Sequence, residues 1–300
     1  MTEANRRAGF VAVIGAPNAG KSTLVNALVG QKVAIVSPKA QTTRARLMGI
    51  AIQGDSQILL VDTPGIFEPR RRLDRAMVAA AWGGAGDADL ILLVIDSAAT
   101  ISREVERILE GLNERQHPLW IVLNKVDLVK KEKLLGLSVQ LAERLNPDKV
   151  FMISAAQGDG VPDLKGALAE AMPEGPWLYP EDEVSDATDR MIAAELTREQ
   201  VVNQLHQELP YATVVETESW EDRPDGSTAI HQQILVERDS QKAIVIGKGG
   251  SRLKAIGAAA REEIAHHLGR KVHLFLHVKV NPRWDEDRSI YREIGLEWAD

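Results

Sequence analysis

The sequence predicts an α/β fold, a mostly parallel sheet flanked by helices, followed by a smaller α+β domain. Three observations carry this. An apolar run at 10–14, a glycine-bearing loop at 15–22 and a helical pattern at 23–28 come in strand–loop–helix order. Continuous apolar runs at 90–96 and 119–123 suit strands covered on both faces, as in a parallel sheet. A proline-broken, acidic stretch at 173–189 then separates this pattern from a second block with its own helix, hairpin signal and glycine turn. A chain of 300 residues fits two domains at ~150 residues each. The expected boundaries are 1–173 for the first domain, 174–187 for a linker, 188–283 for the second domain and 284–300 for a tail.

Taken in order, the loop reads Gly15-Ala16-Pro17-Asn18-Ala19-Gly20-Lys21-Ser22, then Thr23. Gly15 and Gly20 permit backbone conformations that a side chain blocks, so the loop can wrap phosphates at the start of a helix. Lys21 supplies a point charge to the β- and γ-phosphates, and the Ser22 hydroxyl is placed for Mg²⁺. Residues 31–36 are expected as a short strand. Residues 37–44 are expected as a loop whose threonine hydroxyl reaches the same Mg²⁺. Strands follow at 47–52 and 57–61, and the second ends in Asp62-Thr63-Pro64-Gly65. An acid at that strand end holds Mg²⁺ through its water shell, and the Gly65 N–H can approach a γ-phosphate. Arg70, Arg71 and Arg72 read as part of a solvated switch helix, with an RNA contact as the alternative, and 83–86 as a loop.

A helix at 102–115 leads to the strand at 119–123 and to Asn124-Lys125-Val126-Asp127. A carboxylate at Asp127 accepts hydrogen bonds from guanine N1–H and its exocyclic amine. Adenine lacks that amine and presents an acceptor at N1, so such a site rejects it. A strand at 150–153 ends in Ser154-Ala155-Ala156, whose backbone can touch guanine O6, and a helix at 161–172 closes the domain.

The second block begins with a helical pattern at 188–209, stopped by Pro210. Runs at 212–218 and 230–237 around Asp225-Gly226 read as a hairpin. The segment 243–257 places Gly247-Lys248-Gly249-Gly250 between a short apolar helix and a longer one, and 272–280 is a closing strand. Charge is uneven: residues 181–241 hold 4 basic and 15 acidic side chains, and 242–283 hold 9 basic and 2 acidic. A basic block inside a chain of net charge −7 marks a nucleic-acid footprint. Trp284-Asp285-Glu286-Asp287 is expected as a solvated tail, with Trp284 alternatively a stacking face for RNA.

Several classes are set aside. The chain has no cysteine, so it has neither disulfides nor thiolate metal sites. Residues 1–7 are polar, no apolar segment follows that would make a signal peptide, and no apolar run approaches the ~20 residues of a membrane span. His266-His267 are adjacent on a helix and point to different faces.

The loop at 15–22, Asp62–Gly65, Asn124–Asp127 and Ser154–Ala156 resemble, in order, the G motifs of the translation-factor-related GTPases. The fuller spelling G-x-P-N-x-G-K-S-T with Gln41-Thr42-Thr43-Arg44 resembles the Era and MnmE branch. That resemblance implies Thr43, with Thr42 as alternative, as the Mg²⁺ ligand of the mobile loop. It makes Lys21, Thr43 and Gly65 the residues around the reacting phosphate. Ile66 stands where Ras-like enzymes carry a catalytic Gln, so no side chain is assigned to the attacking water. Asn18 either stabilises the loop or, as in members of the branch, helps hold K⁺ beside the phosphates.

The second block resembles a type II KH domain. There Gly247, Lys248, Gly249 and Gly250 form the turn that nears a single RNA strand, Lys248, Arg252 and Lys254 meet phosphates, and Ile246, Leu253 and Ile256 shape an apolar floor. The pairing of the two domains is similar to the bacterial Era family. It implies a GTPase, dependent on Mg²⁺, that binds the 3′ end of small-subunit ribosomal RNA during assembly of that subunit. It also implies a cytoplasmic monomer with peripheral membrane contact. A GTP-dependent RNA-modification or processing factor and a regulatory GTPase with protein effectors are the alternatives.

Overall fold

The computed structural model describes residues 6–37, 43, 44, 46–205 and 213–299. The chain divides into two compact units, the first reaching Asp186 and the second running Ala187–Trp298.

The first unit is a six-stranded sheet in the order β2-β3-β1-β4-β5-β6. Its strands are β1 (Arg7–Ile14), β2 (Leu47–Gln53), β3 (Ser56–Asp62), β4 (Leu90–Asp96), β5 (Leu119–Asn124) and β6 (Lys149–Met152). All neighbours pair in parallel except β2 with β3. Burial on both faces explains the unbroken apolar runs: β3 and β5 are buried along their whole length. One face packs against α1 (Lys21–Val29) and α5 (Val161–Ala171) through Val11, Leu24, Leu92, Val122 and Leu164. The other packs against α2 (Arg72–Gly86), α3 (Arg103–Gly111) and α4 (Lys131–Leu145) through Ile14, Ala81, Ile108, Ile121 and Leu141. The carboxyl ends of the parallel strands share one edge, and chain order reverses beside β1. That edge is where ligands bind in open α/β sheets.

Several expectations are corrected. Residues 31–36 form no strand. The Asn26 side chain takes the place of a strand partner: its Oδ1 accepts from the N–H groups of Val33 (2.9 Å) and Ala34 (2.8 Å), and its Nδ2 donates to Ala34 O (2.7 Å). Residues 83–86 are not a loop but the last turn of α2. Gly84 lets that helix lie close on the sheet, since a Cβ there would meet Thr63 Cγ2 at 3.3 Å. The helix expected at 102–115 ends at Gly111, with Ser102 as its cap. The stretch expected as a linker, 174–187, is hydrogen-bonded along much of its length to the first unit. Trp177 Nε1 donates to Asp55 O (2.9 Å), Gln57 binds the backbone of Leu178 and Tyr179, and Ile50 N–H donates to Val184 O (2.9 Å), extending pairing past edge strand β2.

The second unit carries a three-stranded sheet, β7 (Thr213–Asp222), β8 (Thr228–Val236) and β9 (Val272–Val280), with β7/β8 antiparallel and β8/β9 parallel. Helices α6 (Asp189–Gln204), α7 (Asp239–Ile246) and α8 (Ser251–Leu268) contribute to a core containing Val201, Val215, Ile234, Val245, Ile256 and Val278. The helix expected at 188–209 ends at Gln204, because Leu205 is extended and buried; Pro210 and the expected strand start at 212 lie outside the described residues. The tail is folded rather than solvated. It forms α9 (Arg288–Glu293), buries Tyr291 and stacks Trp298 edge-on against it. Trp284 is 1% exposed, so it presents no stacking face.

Candidate functional site

The strand-end motifs meet at the carboxyl edge of the first sheet. Between β1 and α1 the loop holds Gly15, Ala16, Pro17, Asn18, Ala19 and Gly20. Two glycines are fixed by close approach: a Cβ on Gly15 would lie 2.4 Å from Val94 O, and one on Gly20 would lie 2.3 Å from Asn124 Nδ2. Gly20 is also left-handed at φ 94°. Lys21 and Thr23 stand in the first turn of α1. The Lys21 ammonium is buried and donates to Gly15 O (3.2 Å) and Ala16 O (3.1 Å). Burial pushes it down to about 8, against the opposing pull of Asp62. Burial in turn pushes the Asp62 carboxyl up, while Lys21, Ser22 and Thr43 hold it down.

Ser22, Thr43 and Asp62, predicted to share a metal ion, are brought together from three separate segments. Asp62 Oδ2 accepts from Ser22 Oγ (2.8 Å) and Thr43 Oγ1 (3.0 Å), and the two hydroxyls are 2.9 Å apart. Asp62 Oδ1 is buried with no hydrogen-bond partner among the described residues. A buried carboxylate oxygen left bare beside two hydroxyls is a hard, all-oxygen donor set, and it fits Mg²⁺. Thr42 lies outside the described residues.

Beyond Asp62, the Thr63 hydroxyl is spent on Val13 O (2.8 Å), and Thr63 and Pro64 are buried. These two positions therefore shape the turn through the backbone rather than through their side chains. Gly65 presses on the phosphate loop, where a Cβ would meet Pro17 Cα at 2.9 Å. Ile66 N–H donates to Gly15 O (3.1 Å), and its side chain is buried in the core. Arg70 and Arg71 are exposed, and their backbone N–H groups are capped by Asp74 ahead of α2.

The Asn124–Asp127 motif is held by hydrogen bonds to neighbouring segments. Asn124, 2% exposed, donates to Ala19 O (2.9 Å) and accepts from Ala155 N–H (3.0 Å), joining the phosphate loop to the 154–156 loop. Lys125 sits at φ 63° and donates to Asn18 O (2.7 Å) and Asp96 Oδ2 (2.6 Å). Asp127 rides an exposed 3₁₀ turn, and nothing among the described residues bonds its carboxylate. Ser154 N–H is taken by Asp159 O and Ala155 N–H by Asn124, which leaves the exposed Ala156 N–H open among the described residues. Sequence reasoning missed Asp96. Its signal was the one that revealed Asp62, an acid closing an apolar strand.

In the second unit, α7 ends at Gly247 with φ 72° and ψ 173°, a region open only to glycine, and a Cβ there would lie 2.8 Å from Arg252 Cβ. Gly249 and Gly250 are left-handed, and Lys248, Gly249 and Lys254 are exposed. The first turn of α8 follows with no side-chain cap, an arrangement that favours anions. Arg252 is partly engaged, its Nη1 donating to Ile244 O (2.9 Å). Ile246 and Leu253 are partly buried and pack against the core of the second unit. Ile256 is fully buried within that core.

Residues 10–125 match a family described as 50S ribosome-binding GTPase, and 208–285 match the KH domain family. The chain is 57% identical to the GTPase Era of Erythrobacter litoralis over 303 residues, covering all of both chains. It is 59% identical to that of Rhizobium meliloti, covering 97% of this chain and 93% of that one. Among solved structures it is similar, at 36% identity and TM-score 0.91, to Era in complex with MgGDPNP and nucleotides 1506–1542 of 16S ribosomal RNA, covering 97% of this chain and 99% of that one. The same identity and TM-score hold for a point variant of Aquifex aeolicus Era bound to GDP·AlF4⁻, at 96% and 99% coverage.

Proposed function

The chain belongs to the Era family of GTPases, and from that premise we propose that it is a GTP-hydrolysing switch whose second unit binds the 3′ end of small-subunit ribosomal RNA during assembly of that subunit. The observation that carries the nucleotide reading is the convergence of Ser22, Thr43 and Asp62 around the bare Asp62 Oδ1. Ser22, Thr43 and Asp62 would hold Mg²⁺, which would supply positive charge against the β- and γ-phosphates. Lys21 and the loop backbone orient those phosphates, and Gly65 leaves room at the γ-phosphate. Asp127 selects guanine. With Ile66 buried and no arginine assigned to the transferring group, turnover is slow, on the order of 10⁻⁴ to 10⁻² s⁻¹ as for unassisted enzymes of this class. Asn18, exposed at φ 63°, is our candidate ligand for K⁺ beside the phosphates, and faster turnover in K⁺ than in Na⁺ tests that role.

The RNA reading is supported by the exposed Lys248–Gly249 turn, the basic block around it, and the RNA-bound relative. We further read the protein as a cytoplasmic monomer with peripheral contact at the inner face of the cell membrane. Among the described residues no helix is long and apolar enough to cross one. Crosslinking the purified full chain to total cellular RNA and sequencing the product tests the proposal. Enrichment of the 3′ end of small-subunit ribosomal RNA, through peptides containing Lys248, is expected. Crosslinks spread over unrelated RNA, or none in this segment, would overturn it.

A further inference from the structure

We propose that Asp96 is a positioning residue of the nucleotide site: it clamps the Lys125 ammonium onto the phosphate loop and thereby sets how long a guanine nucleotide stays bound. The inference rests on the guanine-nucleotide reading above. Asp96 closes β4 on the ligand edge of the sheet. Its two oxygens do separate work. Oδ1 accepts from the N–H groups of Ala98 (2.9 Å) and Ala99 (3.3 Å) and fixes the turn that leaves the strand. Oδ2 accepts from Lys125 Nζ at 2.6 Å, and the same ammonium reaches Asn18 O at 2.7 Å.

Three segments therefore meet at one nitrogen: the phosphate loop, the end of β4 and the base-reading motif. Lys125 is only 30% exposed and Asp96 24%, so the pair is partly withdrawn from water. A lysine is a compact charge on a stem with large rotamer freedom. Pinned by one neutral carbonyl, the ammonium would spend much of its time in solvent. The carboxylate holds it in place, and with it the Asn18 carbonyl and the local backbone. Lys125 is itself left-handed and immediately precedes the 3₁₀ turn that carries Asp127, so its position bears on base and phosphate contacts together.

A purely electrostatic view makes the opposite forecast. Removing a negative charge near the phosphates would strengthen nucleotide binding, and more so at low salt. The clamp forecasts weaker binding. Asp96→Asn separates them, because an amide retains the oxygen that caps Ala98 and Ala99 and turns a donor toward the ammonium.

The experiment follows release of fluorescently labelled GDP from the full chain in an excess of unlabelled GDP. The four proteins are wild type, Asp96→Asn, Lys125→Gln and the double variant. Release from Asp96→Asn is expected to be about tenfold faster, the loss of one charge-assisted hydrogen bond. In the Lys125→Gln background the same change is expected to have no further effect. Wild-type or slower release from Asp96→Asn would overturn the clamp. So would an equal acceleration after Lys125 has gone, since the effect would then run through the 98–99 turn. Failure of the wild type to bind labelled GDP would instead strike the nucleotide reading beneath it.

Discussion

Replacing Asp127 with Asn changes one charge on an exposed side chain that makes no hydrogen bond or ion pair among the described residues. The 3₁₀ turn beneath it is fixed independently, by Val126 N–H to Ile153 O (3.2 Å) and by the Lys125 contacts. The substitution should therefore leave folding stability within about 0.5 kcal/mol, as for a surface change without partners. In the proposed guanine complex the carboxylate accepts from guanine N1–H and the exocyclic amine. Bonds to charged groups contribute about 1.5–3 kcal/mol each. Because Asp127 is exposed before binding, it gives up more water on closing, and the lower figure applies. Two such bonds come to about 3 kcal/mol, roughly two orders of magnitude in Kd. An Asn amide can instead donate to the 2-oxo group of xanthine. Competition of GTP and XTP for labelled nucleotide should thus show GTP weakened about a hundredfold and XTP preferred. A variant that keeps the wild-type preference for GTP would refute the base-reading role of Asp127.

Asp62→Asn removes the charge beside the bare oxygen, so GDP affinity measured with and without Mg²⁺ should lose its metal dependence; a retained response would place the ion elsewhere. Lys248→Glu combined with Gly249→Asp should lower RNA affinity and flatten the dependence of log K on log salt by about one unit per lost phosphate contact. An unchanged slope would separate this turn from the RNA. Trp284→Ala empties a fully buried site and should cost about 3–5 kcal/mol in denaturant unfolding of the second unit. A loss of RNA affinity without that destabilisation would restore Trp284 as a stacking face.

Both units were legible where chemistry ties residue types to strand ends. Asp62 and Asn124 each close a buried strand, and the glycines at 15, 20 and 247 stand where the folded chain leaves no room for a Cβ. What escaped the sequence depended on side-chain and packing partners that local composition does not reveal. The apolar stretch 33–35 looks like a strand, but the Asn26 amide satisfies its backbone instead. Helix α4 was not anticipated, because exposed Leu135 and Val139 blur the stripe formed by Leu134, Leu141 and Leu145. Four residues containing three glycines at 83–86 suggested a loop by propensity, and packing of Gly84 on Thr63 overrode it. The acidic, proline-rich 174–186 has a linker's composition, yet its backbone continues the hydrogen bonding of the first sheet.

In the proposed function one chain joins a nucleotide switch to an RNA module, and the two are useful together when each biases the other. Linkage requires reciprocity: if GTP in place of GDP changes RNA affinity by some factor, RNA changes the preference for GTP over GDP by the same factor. The direct measurement is the affinity of the full chain for a 3′-terminal small-subunit ribosomal RNA fragment, at one fixed salt concentration, with GDP and with a non-hydrolysable GTP analogue. The affinities are expected to differ by a factor of roughly 5 to 150, a coupling of ~1–3 kcal/mol. Identical affinities in the two nucleotide states would contradict it and leave the two units merely tethered.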